Sequence, residues 1–188
     1  MNVIFLDFDG VLDTIHYNEN KDIERRIKIL AEICHEYDCK IVIEASAKGA
    51  IDEETMEISS DATFVRYIFS LFDKYGIECI GRTPDVEKIT GKNTKLSMWK
   101  EDEIRLYLLR HPEIEHYCIL DDNDTVNMLR WKTGDLDKVK DHLVETVYYS
   151  HDNPEEEGLL PQHKELIGRV LEKDCNINKS RRKKINNR

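Results

Sequence analysis

The sequence predicts an α/β fold: a doubly wound, Rossmann-like parallel sheet of about five strands, with helices on both faces. Two observations carry that expectation. Short apolar runs at residues 3–6, 40–43, 77–80, 117–120 and 144–149 alternate with segments whose apolar residues recur every three to four positions. Runs without polar alternation suit strands covered on both faces, and strands taken in turn with helices pair in parallel. The second observation is positional. The acidic residues best suited to chemistry stand directly after apolar runs, at the strand ends beyond which open α/β sheets bind their ligands.

The first run, Val3-Ile4-Phe5-Leu6, leads into Asp7-Phe8-Asp9-Gly10-Val11-Leu12-Asp13. Residues 14–21 are polar and read as a loop. Ile23, Ile27, Leu30, Cys34 and Tyr37 then mark a helix over 22–37, with Asp22 in the N-cap position. The second run enters Glu44-Ala45-Ser46-Ala47-Lys48-Gly49 and closes a strand–helix–strand unit, whose crossover should be right-handed. The connection after Asp13 is too short for a large inserted cap domain. Residues 50–60 are polar, with no clear period. Val65, Ile68, Phe69 and Phe72 share one face of a helix capped by Asp61 and stopped at Gly76. The third run is followed by a loop over 81–94 on the active edge. Ser97 caps a helix through Arg110, closed by His111-Pro112. The fourth run delivers Asp121, Asp122 and Asp124. Short helical pieces over 125–131 and 135–143 precede a fifth strand over 144–149. Pro161 opens a last helix to about Lys173.

With 188 residues, 40% of them hydrophobic, the chain suits one compact domain, placed at 1–175. Its apolar runs are far shorter than a membrane span, and the N-terminus enters a strand at once, so a cytoplasmic location is expected. The five cysteines, Cys34, Cys39, Cys79, Cys118 and Cys175, contain no C-x-x-C pair and read as reduced core thiols. Net charge is −10, unevenly spread: residues 176–188 carry six basic side chains and no acid, leaving 22 basic against 38 acidic residues in 1–175. An acidic body does not attract nucleic acid broadly. The basic tail reads as solvated and disordered, with phosphate contacts as its functional alternative.

The chemistry begins with Asp7 and Asp9. Two carboxylates crowded at the end of a buried strand repel unless a cation or a shared proton relieves them, and Gly10 lets the backbone turn sharply beneath the second. A hard, oxygen-seeking ion such as Mg²⁺ answers that need. Asp121 and Asp122 form a second acidic pair at another strand end. An acidic surface turn is the bland alternative, and it suits Asp124 better than Asp121.

The run Asp7-Phe8-Asp9-Gly10-Val11-Leu12 resembles motif I of the haloacid dehalogenase superfamily. The resemblance implies that Asp7 is a nucleophile taking up a phosphoryl group. Asp9 would be the general acid/base protonating the leaving oxygen. Asp121 and Asp122 resemble motif IV, implying a Mg²⁺ site built from Asp7, Asp9, Asp121 and Asp122, with a backbone carbonyl among its donors; Asp121 is favoured as the direct ligand over Asp122. Ser46 matches motif II, with the backbone N–H groups of Ala47 and Lys48 behind it to hold phosphoryl oxygens. Lys100 is preferred for motif III, pairing with nucleophile and phosphate, against Lys92 and Lys95.

More narrowly, Ser46-Ala47-Lys48, Gly81-Arg82-Thr83-Pro84, Trp99-Lys100-Glu101-Asp102-Glu103-Ile104 and Leu120-Asp121-Asp122 look like a small capless branch that includes domains of RNA-repair proteins. That branch runs Val-Ile-Ser-Ser-Ser-Trp-Arg, Thr-Pro, Arg-Gly-x-Glu-Ile and Leu-Asp-Asp. The chain departs from it at Glu44–Lys48 and at Lys100-Glu101. The implied function is a Mg²⁺-dependent phosphomonoester hydrolase acting on nucleic-acid or nucleotide phosphate ends, or on a small phosphorylated metabolite. A phosphate-binding regulatory module without turnover is the alternative from another class. A phosphorelay receiver fits the placement of the acids badly, and dehalogenation is disfavoured by Asp9.

Overall fold

The computed structural model describes residues 1–86, 100–123 and 140–173. Five strands, β1 (Asn2–Leu6), β2 (Cys39–Ile43), β3 (Cys79–Arg82), β4 (His116–Asp122) and β5 (Leu143–Thr146), form one parallel sheet in the order β3-β2-β1-β4-β5. The most apolar run, β1, lies at the centre. Its Leu6 stands opposite Ile43 on one side and Leu120 on the other. This order reverses direction between β1 and β4, which creates the crevice where doubly wound sheets hold ligands. A phosphorelay receiver has the order 2-1-3-4-5, so the strand order excludes that alternative.

Alternate residues of the central strands face opposite layers, as the two-residue period requires. Ile4, Leu6, Ile41, Ile43, Cys118 and Leu120 pack into a core with α1 (Asn20–Tyr37), α2 (Thr63–Tyr75) and α4 (His163–Leu171). Val3, Phe5, Val42, Tyr117 and Ile119 pack on the other side against Ile104, Tyr107 and Leu108 of α3 (Lys100–Arg110). Phe5 lies edge-on to both Tyr107 and Tyr117, at 5.7 and 5.9 Å. Residues 7–19 separate β1 from α1 and residues 83–99 separate β3 from α3, each too short for a large cap. Cys34, Cys39, Cys79 and Cys118 are free thiols. Among the described residues, no helix is long and apolar enough to cross a membrane.

Several boundaries move for physical reasons. Helix α1 begins at Asn20, with Glu19 in the N-cap position, so Asp22 sits in the first turn, where a carboxylate complements the helix dipole. Helix α2 begins at Thr63 rather than after an Asp61 cap; the Asp61 carboxylate instead accepts the Ser59 hydroxyl at 2.5 Å. Strand β3 starts two residues later than its apolar run. Ile77 follows the left-handed Gly76 into the core, and Glu78 offers its carbonyl to Ile41 N–H at 2.8 Å. Gly81 sits in β3 because a Cβ there would meet Tyr107 Oη at 2.6 Å. Strand β5 ends at Thr146, since Val147 turns away to bridge Glu157. Residues 140–142 form a short 3-10 turn. The expected Ser97 cap, the helical pieces over 125–139, Cys175 and the basic tail lie outside the described residues.

One buried cation ties the chain after β1 to the chain after β5. Arg26 of α1 has no exposed surface, and its guanidinium donates to the carbonyls of Leu12 (2.9 Å), Tyr17 (2.8 Å) and Glu157 (3.1 Å) and to Thr14 Oγ1 (3.2 Å). Gly158, at φ +74°, lies so close that a Cβ would stand 2.4 Å from Arg26 Nε. Gly158→Ala is expected to destabilise the fold by about 2 kcal/mol or more, from left-handed strain and displacement of the guanidinium together. Urea unfolding measures it, and an unchanged midpoint would show that Arg26 does not hold these segments.

Candidate active site

The crevice between β1 and β4 places three carboxylates together. Asp7 continues β1 by one residue, its N–H donating to Leu120 O at 3.0 Å, and Asp121 and Asp122 complete β4. All three are buried, and each offers an oxygen within 4.8 Å of the others. Local backbone bonds orient two of them: Asp7 Oδ1 accepts Phe8 N–H at 2.7 Å, and Asp121 Oδ1 accepts Asp122 N–H at 2.9 Å. Lys100, the first described residue of α3, pairs with Asp7 Oδ2 and with both oxygens of Asp121, at 3.1 and 3.0 Å.

Burial pushes the Asp7 carboxyl up to about 7; Lys100 opposes the rise and Asp121 adds to it. Burial works against the Lys100 ammonium, but Asp121, Asp7 and then Glu44 outweigh it and hold the lysine above its usual range. The three buried carboxylates, with Lys100 beside two of them among the described residues, are a donor set that could hold a divalent oxygen-seeking ion such as Mg²⁺.

Gly10 is required where it stands. It has φ +73°, and a Cβ on it would lie 2.3 Å from Asp122 Cβ and 3.1 Å from Tyr148 Cβ. Thr146 Oγ1 fixes the same turn by donating to Gly10 O at 2.8 Å. Asp9 points away from the three buried acids into an exposed position, where its Oδ2 accepts the Ser46 hydroxyl at 3.0 Å. Its carboxylate is therefore not in the acidic cluster. Asp13, on the same turn, has its carboxyl pushed up to about 6 by burial first and by Asp9 next.

Ser46, Ala47 and Lys48 belong to the 3-10 turn Ser46–Ala50 that follows β2. Ser46 is exposed beside Asp9. The Lys48 side chain is committed elsewhere: Nζ donates to Thr83 Oγ1 (2.8 Å) and pairs with Glu103 and with Glu44 (3.3 Å). The Thr83 hydroxyl donates to Glu44 Oε2. Burial, then Glu44, pushes the Glu103 carboxyl up to about 7 against the pull of Lys48. The structure thus unites Asp7, Lys100, Asp121 and Asp122, pairs Ser46 with Asp9, and spends the Lys48 ammonium on a separate network. Lys92, Lys95 and Asp124 lie outside the described residues. Sequence reasoning assigned no role to Glu44, Thr83, Glu103 or Thr146. Thr83 and Glu103 did stand inside the Thr-Pro and Glu-Ile matches, so a signal for them was present.

Comparison with known proteins identifies the family of the chain. A family model described as the HAD domain in Swiss Army Knife RNA repair proteins matches residues 3–150, most of the chain. No curated protein matches it.

Two outcomes follow from the cluster. Gly10→Ala should weaken Mg²⁺ or Mn²⁺ binding by roughly tenfold or more, because Asp122 must shift, much as other residues that orient ligands do. Calorimetric titration reads this, and equal affinity would remove Asp122 from the ion site. The second concerns pH. An Asp7 value above its ordinary 3.8 means that the fold keeps a proton the unfolded chain has released, so stability without metal falls as pH rises from about 4 to about 7. Asp7→Asn removes that component and should gain on wild type across this window, then level off. Thermal melts in EDTA at several pH values check it, and a gain independent of pH would contradict it.

Proposed function

Because the chain belongs to the haloacid dehalogenase type of domain found in Swiss Army Knife RNA repair proteins, we propose that it is a Mg²⁺-dependent phosphomonoester hydrolase. It acts through an aspartyl-phosphate on Asp7, with nucleic-acid or nucleotide phosphate ends as its substrate class. The observation that supports this most is the buried Asp7 flanked by Lys100, Asp121 and Asp122 at the crevice between β1 and β4.

Asp7 presents Oδ2 to an incoming phosphorus while Phe8 N–H holds its other oxygen. Its attack forms the acyl phosphate as the bond from phosphorus to the ester oxygen breaks. Asp9, on the exposed side and aimed by Ser46, gives its proton to the leaving alkoxide. The same carboxylate then takes a proton from water, which attacks phosphorus, releases inorganic phosphate and restores Asp7. Lys100 holds the nucleophile in place and offsets its charge. A divalent ion held by Asp7, Asp121 and Asp122 would supply charge neutralisation between nucleophile and phosphate.

One observation favours a second reading, a phosphate-binding module with little turnover. Lys48 is tied to Glu44, Thr83 and Glu103, so its ammonium is not free to stabilise the charge that develops in phosphoryl transfer. Hydrolysis of p-nitrophenyl phosphate separates the two. The enzyme reading expects release with Mg²⁺, none in EDTA, and a loss on the order of 10³-fold or more in Asp7→Asn. Full activity in Asp7→Asn would end the nucleophile assignment. Lack of turnover together with binding of the phosphoryl mimic BeF₃⁻ would favour the module.

A further inference from the structure

Among the described residues, four large apolar side chains are exposed: Ile15, Leu109, Tyr149 and Leu166. Two of them, Ile15 and Tyr149, flank one structural feature. The rings of His16 and Tyr149 stack with centroids 5.5 Å apart and planes 21° from parallel. Tyr149 is 47% exposed and the His16 side chain 40%. Neither ring is an accident of a loose loop, because one fully buried carboxylate clamps both loops. Glu157 Oε1 meets His16 Nδ1 at 2.6 Å and accepts Ser150 N–H at 2.9 Å, while Oε2 accepts His16 N–H at 3.2 Å. Burial opposes the charge on Glu157, yet these bonds hold its carboxyl below the usual range.

Chain neighbours of both rings lie at the acidic crevice. His16 follows the turn that carries Asp9 and Asp13. Tyr149 follows Tyr148, whose Cβ lies 3.1 Å from the space a side chain at Gly10 would take, and whose N–H donates to Asn123 Oδ1 at 3.2 Å, one residue after Asp122. The overall charge of the body also matters. With a net charge of −10, the chain as a whole does not favour broad phosphate contacts with a polyanionic strand. Stacking of a base on an aromatic face works without charge and tolerates any base.

We propose that the exposed face of the His16–Tyr149 stack is a platform for the terminal nucleobase of the substrate, seating an unpaired nucleotide end whose phosphate lies over Asp7. This rests on the phosphatase reading and narrows it to nucleotides. Tyr149 is then a specificity-determining residue outside the reacting groups, and Glu157 a positioning residue.

The test compares wild type, Tyr149→Ala and Tyr149→Trp on a 5′- or 3′-phosphorylated oligothymidylate, glucose 6-phosphate and glycerol phosphate, the last having no ring to stack. Tyr149→Ala should raise KM for the oligonucleotide by roughly tenfold with kcat unchanged, leave glycerol phosphate untouched, and be rescued by Tyr149→Trp. An oligonucleotide KM equal to wild type overturns the platform and leaves the phosphatase intact, and so does an equal loss with glucose 6-phosphate, which would mark a sugar-binding face. If wild type hydrolyses none of the three, the phosphatase reading has failed on its own. The platform is then read by fluorescence of an oligonucleotide ending in 2-aminopurine: weaker binding by Tyr149→Ala supports it, and equal binding overturns it.

Discussion

Three carboxylates buried within reach of one another set the electrostatics of the crevice. Burial raises the proton affinity of the Asp7 carboxyl, and the neighbouring Asp121 adds to the rise against the pull of Lys100. Lys100 is the internal countercharge among the described residues. It is as buried as the acids it serves, with Asp7 on one side and Asp121 on the other. A buried ion group of this kind rarely adds stability over an apolar filling. Its presence at the mouth of the sheet therefore points to chemistry, because a fold under no such demand would place leucines there.

The scaffold accepts this burden through backbone registry. Leu6 pairs with Leu120 across the central strands, so the residues that follow, Asp7 and Asp121, emerge side by side. Nothing in the side chains has to search for that geometry. Gly10 then lets the chain turn close enough to touch Asp122, and Thr146 from β5 ties the same turn down. The two cores on opposite faces of the sheet keep β1 and β4 rigid beneath the acids. Preorganisation of the acids is thus inherited from two strands whose side chains are buried on both faces of the sheet.

That division explains what could be read in advance. The sheet, its parallel sense, the helix faces and the Asp7, Asp121 and Asp122 positions were legible because each depends on local period or on a residue's place after a strand, whereas Asp9, expected among the metal ligands, stands outside the acidic cluster. Lys100 was legible from its likeness to a known motif, and its partners agree with the expected pairing. Less legible were contacts between segments remote in sequence. The expectation for Lys48 concerns its backbone N–H; the partner of its ammonium, Glu103, stands 55 residues away. The Glu157 clamp on His16 spans 141 residues and left no periodic trace. Boundaries such as the late start of β3 were set by Gly76 and by the approach of Tyr107 to Gly81, which no window of the sequence reports.

The Lys48 network also bears on why an ion would matter here. Around the crevice the described chain gathers Asp7, Asp121, Asp122, Glu44 and Glu103, with Lys48 and Lys100 as the cations bonded to them. Both lysines already face two carboxylates each, so neither has a surplus of positive charge to offer an incoming phosphate. A phosphomonoester carries up to two negative charges of its own and would meet repulsion at close range. Had Lys48 been free, the site could attract phosphate by itself. Glu44 and Glu103 both pair with Lys48, so a divalent ion at the buried acids would ease substrate entry as well as the transition state of the proposed reaction. Under that reading, metal dependence would be read in substrate affinity and in turnover together.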